Sequence, residues 1–224
     1  MSVEVRLGGP RARLACLALD DGYTTARMWQ AATHSSDDPA LGLASLESGT
    51  PDAPFSVSFQ QVRLPRPVEV PGICGLRPPE ARLAAWEAAG CLLVACPPQP
   101  ALNPPPGDAD AEPDPAEIPV EVWGYVSLSA VPDAHLAWVA ELVVDPEHRR
   151  QGLGSTLLDA ARAWAAAPVE DGGGGRLSAL GLELAPRNYP AISFCRRAGF
   201  TFTGYTDYTA AGGDLRLFFV LRIA

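Results

Sequence analysis

Trp138-Val139-Ala140-Glu141-Leu142-Val143-Val144, followed by Asp145-Pro146-Glu147-His148-Arg149-Arg150-Gln151-Gly152-Leu153-Gly154-Ser155, is the stretch whose reading decides the fold. Its first seven residues are apolar and rich in β-branched side chains, which suits a strand. Asp145-Pro146 turns the chain. Beyond the turn, Leu153, Leu157, Leu158, Ala161 and Trp164 recur at three- and four-residue steps. That is one face of a helix running to Ala167. Strand, basic glycine-bearing loop and helix together gather free backbone N–H groups and the positive end of a helix dipole at one point, an arrangement that suits an anion and most often a phosphate. Gly152 and Gly154 let a ligand approach the backbone closely.

Two nucleotide motifs share this outline and fail on detail. A dinucleotide fingerprint needs a third glycine where Leu157 stands, and a Walker loop needs a lysine, which the chain lacks altogether. What remains is Arg149-x-x-Gly152-x-Gly154 after Val-Val-Asp-Pro.

Bulk properties narrow the classes. At 224 residues the chain can bury a sizeable core, and a hydrophobic share of 47 % is ordinary for a globular protein. A net charge of −9 argues against nucleic acid as a partner and favours a cationic small molecule through long-range attraction. No stretch is long and apolar enough to predict a membrane span, and the first residues lack a secretory pattern, so the cytoplasm is the default compartment. Five cysteines form no C-x-x-C pair and three histidines fall in separate segments, so no metal site is expected.

Outward from the loop, the remaining elements follow from pattern. Residues 3–7 and 14–19 read as strands or extended segments, and 23–32 as a short helix. Residues 33–54 read as loop. Residues 55–64 alternate as a half-buried strand that Pro65, Pro67 and Pro71 should end. Pro78-Pro79-Glu80 opens a helix that Gly90 closes, followed by a buried strand over 91–96. Residues 97–119 form a Pro/Asp-rich insertion between that strand and its antiparallel partner over 120–129. Further elements are a strand over 180–184, a short helix over 189–198 capped by Asn188, a strand over 201–205 and a last strand over 215–223. One domain spanning 1–224 is expected.

A second motif lies in this tail: Asn188-x-x-Ala191-x-x-Phe194-Cys195-x-x-x-Gly199-Phe200. With the Arg149 loop it resembles the GNAT superfamily of N-acetyltransferases, over roughly residue 120 to the end. A narrower likeness, in residues 55–59 through Pro67, 199–205 and 215–219, is to streptothricin acetyltransferases. The resemblance implies an α/β (α+β) fold with a mixed, strongly twisted sheet splayed into a V and flanked by helices. It implies acetyl-CoA as cofactor, held by Leu142, Val143 and Val144 on the strand, by Arg149, Arg150, Gln151, Gly152, Leu153, Gly154 and Ser155 in the loop, and by Asn188, Ala191 and Phe194.

The implied reaction is transfer of acetyl from acetyl-CoA to a primary amine of a small, cationic molecule, by direct attack in a ternary complex. The alternative is a coenzyme A-binding module of the same fold with little turnover. A base must take the amine's proton, and backbone N–H groups on the strand can stabilise the developing oxyanion. Glu183 is the first candidate base, because burial between Leu182 and Leu184 would disfavour its charge. Glu141 is the second. Cys195 occupies the position of the family's general-acid tyrosine; a thiol, ordinarily near ~8.5, can in principle donate a proton. The terminal strands offer an edge for a homodimer.

Overall fold

The computed structural model describes residues 2–35, 55–72, 77–98, 121–206 and 215–223. Most of the loop read from 33–54, and nearly all of the 97–119 insertion, lie outside them. In chain order the elements are β1 (Glu4–Leu7), α1 (Pro10–Leu17), β2 (Tyr23–Ser35), β3 (Phe55–Val70), α2 (Pro79–Ala89) and β4 (Cys91–Cys96). Then come β5 (Gly124–Val131), β6 (Leu136–Val144), α3 (Leu153–Ala166), β7 (Ala179–Leu184), α4 (Tyr189–Arg197), β8 (Thr201–Thr206) and β9 (Arg216–Arg222).

Two compact units divide these elements, the first comprising Met1–Gly22, Pro71–Leu182 and Phe219–Ala224. Its strands are ordered β1-β4-β5-β6-β7-β9. The ladders from β1 to β6 are antiparallel and the β6–β7 ladder is parallel, so the sheet is mixed and mostly antiparallel, flanked by helices. All six residues of β4 are buried, as a continuous apolar run predicts for a central strand. Trp86, Leu92, Val94, Val122, Tyr125 and Val143 form a core cluster with Ala12, Cys16 and Leu19. The helix α3 packs on β4, β5 and β6 through Leu153, Leu157, Leu158, Ala161 and Ala165. Each buried leucine there contributes about 1.5–3 kcal/mol. Trp164, expected on this face, is only partly buried.

The β6–β7 ladder shapes the edge of the sheet beside the glycine-bearing loop. It registers Leu136↔Ala179, Ala137↔Leu180 and Trp138↔Gly181 and then stops, although β6 continues to Val144. On its other side β6 keeps its antiparallel partner β5 as far as Gly124↔Val144, with a bulge at Ala140 where Ser127↔Glu141 gives way to Leu128↔Val139. One edge of β6 therefore opens beyond Trp138, the local geometry of a V-shaped sheet.

The second unit comprises Tyr23–Val70 and Glu183–Phe218. It contains β2 paired with β3, the helix α4, and β8 beside the opening residues of β9.

Three expectations need correction. Residues 14–19 are not a strand: α1 covers Pro10–Leu17. Proline at its first position presets φ, and Ala12 and Cys16, four apart, point to the core. Residues 23–32 are not a helix either. They belong to β2, where Tyr, Thr and Trp side chains favour extended backbone and a ladder with β3 runs from Tyr23↔Val70 to Ser35↔Phe55. Nor do Pro65 and Pro67 end β3, which runs on to Val70 and stops directly before Pro71. The register passes from Thr25↔Val68 directly to Arg27↔Arg63, so Pro65 and Pro67 sit in a bulge where no ladder donor is required. Thr25 Oγ1 donates to Arg27 O (2.6 Å) across the same irregularity.

Candidate active site

The loop between β6 and α3 is built to hold its backbone still while leaving its amides open. Asp145 Oδ1 accepts from Glu147 N (2.9 Å), and Pro146–His148 close a 3-10 turn. The His148 ring stacks on Trp123 at 4.8 Å. Arg149 fastens the loop: Nε donates to Val144 O (2.9 Å), Nη1 to Gly22 O (2.8 Å) and Nη2 to Asp20 O (2.9 Å). Its planar fork thus holds three carbonyls from two stretches of chain, which a lysine could not do. In this structure the donors of the Arg149 side chain are turned to backbone carbonyls, which ties the loop to the 20–22 segment.

Arg150 has φ 64° and Gly152 φ 89°, two left-handed residues with one residue between them. Such alternation turns successive N–H groups toward a common centre. Among the described residues the N–H groups of Arg150, Gln151, Gly152, Leu153 and Gly154 have no acceptor. The first turn of α3 carries no acidic residue. Arg150 is exposed and has no carboxylate within ion-pair distance among the described residues. The Gln151 side chain turns back to Glu147 O (2.9 Å), while Ser155 is exposed on the first turn of α3. An anion fits this cradle of amides and helix dipole, and a diphosphate fits the number of donors.

On β6 the alternation of burial places Val143 inward, while Leu142 and Val144 are partly exposed. Glu141 is 5 % exposed. Its Oε2 accepts from Trp86 Nε1 (2.9 Å) and from Tyr125 Oη (2.9 Å). Tyr125 Oη in turn accepts from Arg82 Nη2 (2.8 Å), and Arg82 is itself 2 % exposed. Oε1 has Arg77 Nη1 at 4.0 Å. Two donors on Oε2 fix the carboxylate, while Oε1 is turned toward the Arg77 guanidinium. Sequence reasoning does not single out Arg82, Trp86 or Tyr125; the one signal it offers is an arginine and a tryptophan four apart on one helix face.

In the second unit Glu183 is exposed, not buried between Leu182 and Leu184. The desolvation that made it the first candidate base is absent, because side chains alternate along a strand and Glu183 falls on the open face. Asn188 caps α4, its side chain accepting from Ala191 N (3.2 Å), while Ala191 and Phe194 are partly exposed.

Cys195 is 3 % exposed, and burial pushes its thiol up to about 12. It packs beside Ile192 on the inner face of α4, where burial keeps the thiol protonated and makes it a weaker acid than a free cysteine. We therefore expect Cys195→Ala to keep its turnover within a few-fold. The linkage has a definite sign. A thiol whose folded value is raised contributes stability that is intact below the unfolded value of ~8.5 and is lost as pH climbs toward the folded one. Melting temperature should accordingly decline above about pH 9, less steeply in Cys195→Ala; an unchanged slope would contradict the assignment.

Among the described residues no helix is long and apolar enough to cross a membrane, and no group of three or more His, Cys, Asp or Glu could hold a metal ion.

Comparison with known proteins agrees with the loop and the sheet. Residues 97–200 match the model of the acetyltransferase (GNAT) family. No curated protein matches the chain in sequence. Among solved structures, a nourseothricin acetyltransferase superposes with a TM-score of 0.64 at 21 % identity, over all of both chains. A Bacillus anthracis protein assigned as a streptothricin acetyltransferase, solved in complex with acetyl coenzyme A, gives 0.63 at 15 % identity, again over all of both chains. The ribosomal-protein-S18-alanine N-acetyltransferase of Escherichia coli gives 0.53 at 13 % identity, over 100 % of this chain and 95 % of its own. At these identities the superpositions speak for the fold, while the family match covers the strand, loop and helix that the sequence singles out. Over residues 97–200, a little under half of its length, this chain is similar to the acetyltransferase domain of the GNAT family.

Proposed function

We propose that the chain transfers the acetyl group of acetyl-CoA to a primary amine on a small molecule, the amine attacking directly in a ternary complex. The observation that carries this reading is the cradle at residues 150–154: five backbone N–H groups without an acceptor among the described residues, at the start of a 14-residue helix with no acid in its first turn. Acetyl-CoA supplies an activated thioester and a thiolate leaving group. The chain's residues do the rest. The cradle and Arg150 would hold the diphosphate. The open edge of β6, including Leu142, Val143 and Val144, offers backbone groups to an extended arm and to a developing oxyanion. Glu141 is the base this geometry favours, accepting the amine's proton at Oε1 while Trp86 and Tyr125 fix Oε2. A net charge of −9 supports a cationic acceptor.

Calorimetry with coenzyme A and a thiol-release assay with acetyl-CoA over a panel of amines test the reading. Micromolar binding and amine-dependent thiol release are expected. Binding without release on any amine would assign the chain to coenzyme A recognition without turnover, and absence of binding would remove the proposal. Arg149→Lys should weaken coenzyme A about tenfold or more, since one ammonium cannot hold three carbonyls and the loop loses its fixed shape. Unchanged affinity in Arg149→Lys would detach that side chain from the cradle.

A further inference from the structure

The second unit has a cavity that the acetyltransferase reading does not use. It measures about 350 Å³ and is lined by Trp29, Gln61, Tyr189, Ser193, Arg196 and Arg197, with Ile192 at its base. Residues 189, 192, 193, 196 and 197 occupy one side of α4. With 3.6 residues per turn, the motif residues Asn188, Ala191 and Phe194 fall on the opposite side of the helix. The cavity is therefore separate from the face that carries the family motif.

Its chemistry is cationic without a counter-charge. In a chain of net charge −9, Arg27, Arg196 and Arg197 have no carboxylate within ion-pair distance among the described residues. Two of the three are held in place by aromatic faces: Arg196 Cζ lies 5.6 Å from the Trp29 ring centroid, and Arg27 Cζ 5.8 Å from that of Tyr189. Ring contact orients a guanidinium and leaves its N–H edge available to an acceptor. Arg27 Nη1 also donates to Tyr189 Oη (3.4 Å). Hydrogen bonding to Ser193, then to Arg27, draws the Tyr189 phenol below its ordinary value, which shows how donor-rich the surroundings are. Trp29 Nε1 is buried and has no acceptor among the described residues. A buried indole N–H left unpaired is costly. The helix dipole explains two arginines in the last turn of α4. It explains neither Arg27, on a different element, nor the unpaired indole.

We propose that this cavity binds a small molecule through an oxyanion, a phosphate or a carboxylate, gripped by Arg196 and Arg197 with Trp29 at its wall. The volume suits a ligand at the small end of the usual range of ~300–1,000 Å³, one ring and its charged group. Guanidinium forks match phosphate and carboxylate oxygens in pairs, so the shared chemistry is two parallel N–H···O bonds.

Phenyl phosphate, benzoate and inorganic phosphate are the probes, each titrated into the full chain and followed by calorimetry and tryptophan fluorescence. We expect at least one of them to bind saturably, to bind about tenfold or more weakly in the Arg196→Gln/Arg197→Gln double variant, and to be undisturbed by coenzyme A. Preference for phenyl phosphate over benzoate assigns phosphate esters, and the reverse assigns carboxylic acids. Gln61→Glu, a change at an exposed strand position, places a negative charge at the cavity wall and should weaken binding similarly. It keeps the test decisive if the double variant does not fold. No saturable binding of any probe, full affinity in both variants, or displacement by coenzyme A would each overturn the proposal. Displacement would mean the probe occupies the cradle at residues 150–154, so this outcome is distinct from failure of the acetyltransferase reading.

Discussion

Glu141→Ala is expected to destabilise the protein by about 3–5 kcal/mol, the range for removing one member of a buried, hydrogen-bonded charged network. The carboxylate is the common acceptor of Trp86 Nε1 and Tyr125 Oη, and through Tyr125 it is linked to the buried Arg82. Alanine strands two donors and weakens the setting of a guanidinium in a core where water cannot replace the lost oxygens. For a chain of this size the loss corresponds to a fall in melting temperature on the order of 10 °C. Glu141→Gln separates this structural duty from chemistry. Placed where Oε2 sits, its amide oxygen can still accept from both donors, so most of the stability should return, whereas a neutral amide cannot take up a proton. If Glu141 is the base, turnover in Glu141→Gln falls by about 10²-fold or more while the affinity for coenzyme A holds. Glu183→Gln, exposed and unpaired with the core, should stay close to the parent. Reversal of that order, with Glu141→Gln active and Glu183→Gln inert, would transfer the role to Glu183 and leave Glu141 a purely structural acid.

How much of this is legible in the residues depends on the range of the interaction that decides each feature. The strand–loop–helix unit is readable because its signals are local: β-branched residues, Asp-Pro, glycines at fixed spacing, and a helical period in Leu153, Leu157, Leu158 and Ala161. The Asn188 cap is readable for the same reason, as a residue that satisfies an N–H three positions on. Tyr23–Ser35 reads wrongly as a helix because its extended form is imposed by pairing with Phe55–Val70, a partner some thirty residues away that no local window contains. Glu183 reads wrongly as buried because alternation decides which face a strand residue occupies, and the two neighbouring leucines do not report the phase. The network of Arg82, Trp86, Tyr125 and Glu141 draws on α2, β5 and β6, so its members meet only once the sheet has formed. The role of Arg149 is half legible: the motif fixes the residue type, but only the fold shows its donors turned to Val144, Gly22 and Asp20.

Gly152→Ala should cost affinity for coenzyme A more than it costs stability, and the difference between the two is the informative quantity. Gly152 stands at φ 89°, where a side chain is strained whatever space surrounds it. That strain alone predicts a loss of roughly 1–2 kcal/mol of folding stability. A Cβ built there meets no atom within 4 Å, so steric collision inside the protein adds nothing to it. The methyl group would project instead into open space beside the N–H groups of the cradle, where the diphosphate oxygens are proposed to lie. Binding should therefore weaken by about 10²-fold or more, through blocked approach and through a loop that relaxes out of its left-handed turn. Arg150→Gln gives the contrast: it removes one exposed charge, leaves the amides in place, and should weaken binding by only about tenfold, with stronger dependence on salt in the parent than in the variant. Gly152→Val, β-branched, should be worse than alanine in both respects. Calorimetric titration of the three variants, with thermal melts in parallel, yields both quantities. Parental affinity in Gly152→Ala would mean that the ligand never approaches this turn, and the cradle would have to be surrendered along with the acetyl transfer built on it.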